Sequence, residues 1–205
     1  AFGTNALGAS TTGSNNVALG RSALSSNLVG SENTGAGYQA LQNNTANSNN
    51  AFGSNALRNN TTGTANAAFG GSALLDNETG SYNTALGVSS LENLISGSIN
   101  IAVGYAAGLQ LTTGANNVAL GRQAMAAQTS ASNNVAVGHN ALYNNITGTT
   151  ATAVGYQALF NSTGNGNTAV GYQAGISTTG GTPNTFVGAS AGALNIGGAN
   201  NVAVG

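Results

Sequence analysis

The stretch Asn117-Val118-Ala119-Leu120-Gly121-Arg122-Gln123-Ala124-Met125 is written again as Asn134-Val135-Ala136-Val137-Gly138-His139-Asn140-Ala141-Leu142, and again as Asn167-Thr168-Ala169-Val170-Gly171-Tyr172-Gln173-Ala174-Gly175. Taking the glycine as anchor, the copies stand at Gly3, Gly20, Gly37, Gly53, Gly70, Gly87, Gly104, Gly121, Gly138, Gly155, Gly171, Gly188 and Gly205. Ten of the twelve intervals are 17 residues and two are 16. A fixed period carried across a whole chain is the signature of stacked repeats, each of which buries its core against its neighbours. Seventeen residues are too few for the helix pairs of ankyrin or tetratricopeptide repeats, and the leucine-rich spacing is missing. The reading is an all-β, parallel β-solenoid of about twelve coils, one continuous domain over residues 1–205. Both ends fall at the same phase of the repeat, so the chain reads as an in-register segment of a longer array.

Each repeat can be read slot by slot. Three before and one before the anchor stand residues such as Val118 and Leu120, or Ile101 and Val103. A spacing of two puts both on one face of a short strand, and their apolar character marks that face as inward. The slot between them then points outward, and it is alanine at Ala18, Ala51, Ala68, Ala85, Ala102, Ala119, Ala136, Ala153, Ala169 and Ala203. Alanine is a poor strand former, so an outward alanine column is expected to be packed closely by another chain. The anchor glycine reads as a bend or close approach that excludes a side chain. An Ala-Leu pair three and four residues on, as in Ala141-Leu142, forms a second inward row.

Asparagine stands four before nearly every anchor, from Asn16 to Asn201. It is either a ladder of stacked amides or a turn residue before each strand. The remainder is a polar turn, clearest at Asn59-Asn60-Thr61-Thr62-Gly63, whose asparagines and glycine are expected to supply left-handed conformations. The two short intervals lose their residue in this turn, around Asn47 and Gly164. A loop shortens there without disturbing a strand.

Composition excludes several functions. Charged residues make up 3% of the chain, with no lysine, three arginines (Arg21, Arg58, Arg122) and a net charge of −1. Nucleic-acid binding needs clustered cations to displace counterions, and these are scattered. There is no cysteine, hence no disulfide or thiolate metal site. No apolar run approaches the length of a membrane helix, so no membrane insertion by this segment is expected.

At Asn-Val-Ala-Val-Gly, residues 134–138 and 201–205, the chain resembles the head repeats of trimeric autotransporter adhesins, the YadA-like left-handed parallel β-roll. The longer form Thr-Ala-Val-Gly-Tyr-Gln-Ala-Leu, residues 152–159, is similar to repeats in tail-fibre and cell-surface shaft proteins of phages and bacteria. The resemblance covers the whole chain. It implies an extracellular homotrimer, with the alanine row at the three-fold centre.

No catalytic constellation, cofactor site or metal site is expected. Asp76 and Glu78 are the one close acidic pair, and they lie in a solvated turn. His139, the one histidine, belongs to a variable surface column that elsewhere holds Tyr38, Tyr105, Tyr156, Tyr172, Arg21 and Arg122. Calcium-binding β-rolls need a Gly- and Asp-rich nonapeptide that one aspartate cannot furnish. Sequons at Asn59, Asn77, Asn145 and Asn161 are by-products of the turn motif.

The leading expectation is therefore a non-enzymatic structural or adhesive segment of a trimeric fibre, on a bacterial surface or a virion. Its expected partners are copies of itself, with a host-surface glycan or matrix protein as a further candidate. The alternative is a glycan- or matrix-binding module that uses a regular surface column such as the tyrosines. An ice-binding solenoid ranks below it, because the column eight after the anchor mixes threonine with Leu28, Glu78, Ile95 and Ile146.

Overall fold

The computed structural model describes residues 1–205 as an all-β solenoid of twelve three-residue strands in one parallel sheet, paired in strict chain order. The strands run from β1 (Val17–Leu19) through β7 (Val118–Leu120) and β8 (Val135–Val137) to β12 (Val202–Val204). Each coil contributes one strand, and the anchor glycine ends it. Register never slips. Thr34 pairs with Asn50 and Thr152 with Thr168 across the two 16-residue intervals, so the missing residue is absorbed in the turn. The turns are stacked too: of 133 backbone hydrogen bonds, 111 lie outside the strands, and most run from coil to coil, as in Leu24 N–H to Ala40 C=O and Gln39 N–H to Arg21 C=O.

The anchor glycines have φ between 124° and 144°. A Cβ on them would also strike the carbonyl of the next anchor. The left-handed conformations of the remaining backbone differ from expectation. They fall on residues two, four and twelve after the anchor, such as Gln123, Met125 and Asn133, rather than on the turn glycines ten after it. Those glycines serve close stacking instead: a Cβ on Gly97 would stand 2.1 Å from the carbonyl oxygen of Gly114.

The strand faces are the reverse of the expectation. The alanine column expected between chains (Ala18, Ala51, Ala68, Ala85, Ala102, Ala119, Ala136, Ala153, Ala169, with Ala203 partly buried) points into the coil's own interior. The Val, Ile, Leu, Phe and Thr residues on either side of it point out. The reason is volume. The coil is thin, and opposite each strand alanine stand the Ala-Leu pair and the backbone of the turn, which together leave room for a methyl group. The interior of a regular coil is thus two alanines, a leucine and two asparagines. In the coil of Gly53 they are Ala51, Ala56, Leu57, Asn49 and Asn60, all buried.

The asparagines form ladders. In the column four before the anchor, each Oδ1 accepts the backbone N–H of its counterpart one coil on, as Asn66 N–H to Asn49 Oδ1 at 2.9 Å, and each Nδ2 donates to a turn carbonyl, as Asn66 to Gly80 at 2.8 Å. A second buried ladder, seven after the anchor, runs Asn27, Asn44, Asn60 and Asn77. Its amides bond one another, as in Asn77 Nδ2 to Asn60 Oδ1 at 2.7 Å, and share the same carbonyls. Buried amides are tolerated because nearly every lone pair and N–H is satisfied.

This second ladder breaks where Leu94 and Leu111 replace asparagine, leaving Asn77 Oδ1 without a partner. It resumes badly at Gln128, fully buried with neither Nε2 nor Oε1 bonded. Burying an unpaired amide costs about 1–3 kcal/mol. Gln128→Leu, which matches the leucines of the two preceding coils, is therefore expected to raise stability by about 1–3 kcal/mol, read as a higher denaturation midpoint. A lower midpoint would show that Gln128 has a polar partner in solution.

Candidate functional site

Two surface features are continuous over several coils. The first is the outward side of the sheet. Val17, Leu19, Phe52, Phe69, Leu86, Ile101, Val170, Val187, Val202 and Val204 are all exposed there, and Phe52 stacks on Phe69 with ring centroids 4.8 Å apart. Twelve strands in parallel register make this a continuous strip about 53 Å long, taking eleven steps of about 4.8 Å. Charged side chains are absent from it. β-Branched side chains that a strand favours are simply on the face where volume is not limited.

The second feature is the column immediately after the anchor, at the corner where the glycine turns the chain away from the sheet. Of the chain's three arginines, one histidine and six tyrosines, seven stand here: Arg21, Tyr38, Tyr105, Arg122, His139, Tyr156 and Tyr172. The last five occupy consecutive coils. The Arg122 guanidinium lies 5.9 Å from the Tyr105 ring centroid and points an N–H at His139 Nε2, 3.2 Å away. His139 meets Tyr156 edge-on at 5.4 Å, and Tyr156 stacks on Tyr172 at 5.3 Å. Arg21 covers Tyr38 in the same manner at 5.6 Å. The neighbouring column carries carboxamides at Gln123, Asn140, Gln157 and Gln173, with Gln173 Nε2 donating to Gln157 Oε1 at 2.9 Å. The sequence placed these residues in one column; their mutual contacts come from the coil spacing.

The remaining candidates lie apart. Asp76 accepts from Asn59 Nδ2 at 3.0 Å, in a column of amides, while Glu78 stands in the threonine column. No three His, Asp or Glu side chains form a group able to hold a metal, and no cavity opens in the rod. Hydroxyls of the threonine column are spent on coil-to-coil bonds, such as Thr45 to the Thr61 carbonyl and Thr61 to the Glu78 carbonyl, each at 2.8 Å. Of the sequons named above, Asn77 and Asn145 bury the acceptor amide completely. No helix is long and apolar enough to cross a membrane. No protein-family model, no curated protein and no solved structure matches the chain.

Proposed function

We propose that this chain is a non-enzymatic structural segment of an extracellular fibre, assembled as a parallel homotrimer with the left-handed winding that the resemblance to adhesin head repeats implies. The observation that carries this reading is the exposed apolar strip. Continuous apolar patches beyond a few hundred Å² on a protein surface mark an interaction site. A second copy is the occupant that fits: it carries the same strip, at the same step, over the same length, and a net charge of −1 gives little repulsion between copies. A different partner would need to reproduce that period along the whole rod. The strip is narrow, only two side chains wide, so edges of three rods can meet along it around a common axis.

The interface assigned here is therefore the Val/Leu/Phe side of the strand, in place of the alanine side. Leu120→Glu with Val137→Glu puts like charges on that strip and leaves the core untouched. The double variant is expected to fold, with the circular dichroism of the parent, but to run as a monomer in light scattering where the parent has the mass of three chains. Unpaired charge in a desolvated interface costs several kcal/mol, enough to lose assembly. A parent that is monomeric at micromolar concentration, or a double variant that still assembles, rejects the interface.

A further inference from the structure

The corner column described above is left unused by assembly through the sheet, and the geometry points to it as a binding site for an extended, carboxylate-bearing polysaccharide. The site is the two-column stripe of Tyr105, Arg122, His139, Tyr156 and Tyr172 with its flanking carboxamides. It belongs to one chain and does not rest on the oligomer.

The chemistry is drawn from three observations. Arg122 is exposed, and its contacts are an aromatic face and an imidazole rather than a carboxylate, so its guanidinium is free to take an anion in bidentate fashion. The aromatic stack presents ring edges and phenol oxygens to solvent, and ring edges carry the positive end of the quadrupole, which again favours an electron-rich ligand. At the end of the stack the next coil has Ala189 in this slot, a side chain too small to cover the outer face of Tyr172, which is 54% exposed. That face is a platform for the C–H side of a sugar ring.

The carboxamides suit a ligand that both donates and accepts: sugar hydroxyls do, and so do Gln123, Gln157 and Gln173. An acidic peptide offers backbone N–H and C=O groups as well, but an extended strand advances about 3.4 Å per residue and does not keep the step of about 4.8 Å along the column. Shape agrees: the five residues repeat at the strand spacing of about 4.8 Å over roughly 19 Å, a step close to the length of one pyranose in an extended chain. The ligand would lie along the rod, not across it. Arg21 and Tyr38 repeat the cation-over-ring pair on only two coils, with Ser54 next, so they lack the length.

Binding can be read from tyrosine emission, since the chain has no tryptophan. The probes are hexagalacturonate, its methyl ester and hexaglutamate, titrated into the full chain with its oligomeric state checked by light scattering in each case. Saturable binding of hexagalacturonate is expected. Arg122→Gln, Tyr172→Ala and methyl esterification are each expected to weaken it by about tenfold or more, whereas Tyr82→Ala, an exposed tyrosine in another column, leaves it unchanged. The variants change exposed side chains, so assembly persists and a loss of binding is separable from a loss of assembly. The proposal is overturned by no saturable binding, by binding that survives both Arg122→Gln and Tyr172→Ala, or by equal affinity for hexaglutamate, which would mark a peptide-binding stripe.

Discussion

Gly121→Ala is expected to lower stability by about 3–5 kcal/mol, an effect near the top of the range for a single methyl group. Two causes act together. The backbone of Gly121 has φ of 132°, a region that L side chains rarely adopt. A Cβ would also stand 2.6 Å from the carbonyl oxygen and 2.7 Å from the carbonyl carbon of Gly138. Both obstacles are backbone, so no rotamer change relieves them. The coils would have to separate at that corner, weakening Gly121 N–H to Val103 C=O and Gly138 N–H to Leu120 C=O. Gly180→Ala is the control. Nothing lies within 4 Å of its added Cβ, and the change is expected to stay within about 0.5 kcal/mol. Denaturant midpoints of the two variants, measured side by side, decide the matter. Equal midpoints would remove the anchor's special status.

The second large effect concerns Phe186, the one aromatic in the alanine slot. It is buried and packs where two neighbouring coils lack their leucine: Gly175 and Gly192 stand in that slot, and a Cβ on them would meet the Phe186 ring at 2.6 and 2.2 Å. The chain has exchanged two leucines and an alanine for two glycines and a phenylalanine. Phe186→Ala alone is expected to cost about 3–5 kcal/mol through the cavity it leaves. Gly175→Leu alone is expected to destabilise as well, by overpacking against the ring. Combined with Gly192→Leu, the two should restore the regular coil. The backbone permits it, since leucines in this slot elsewhere take the same left-handed conformation: φ is 61° at Gly175 and 50° at Leu159. A triple variant no more stable than Phe186→Ala would show that the phenylalanine is held by something other than the missing leucines. Non-additivity of this kind is the mark of residues that share one space.

The same logic of volume explains where reading the sequence succeeded. Period, coil count, strand position and the placement of the deletions follow from spacing alone, because a stack in which every backbone group pairs with the coil above and below cannot change length inside a strand. The alternation Val118-Ala119-Leu120 is equally plain, but its direction in the structure is the reverse of the one expected from residue size. The usual rule sends the larger apolar residue inward. In a coil this thin the interior is limited by space before it is limited by polarity, so the slot that is small in every coil but that of Phe186 is the buried one. The signal was present: the alanine slot hardly varies in size, whereas its neighbours range from Ala36 to Phe52. Phe186, which breaks the slot, does so only beside Gly175 and Gly192.

For the candidate site, the column of Tyr105, Arg122, His139, Tyr156 and Tyr172 was legible as a register of equivalent slots, but that register says nothing about contact. Only the tertiary structure decides that coils stack closely enough for rings to pair and for Arg122 to bridge Tyr105 and His139. It also decides that buried asparagines are satisfied by the coil beyond, since a hydrogen bond across 16 or 17 residues is invisible until the turn is closed. Sequence by itself determined the repeat, the parallel sheet and the columns. Which side of the strand is core and which is surface was settled by the width of the coil, a quantity that no single repeat contains.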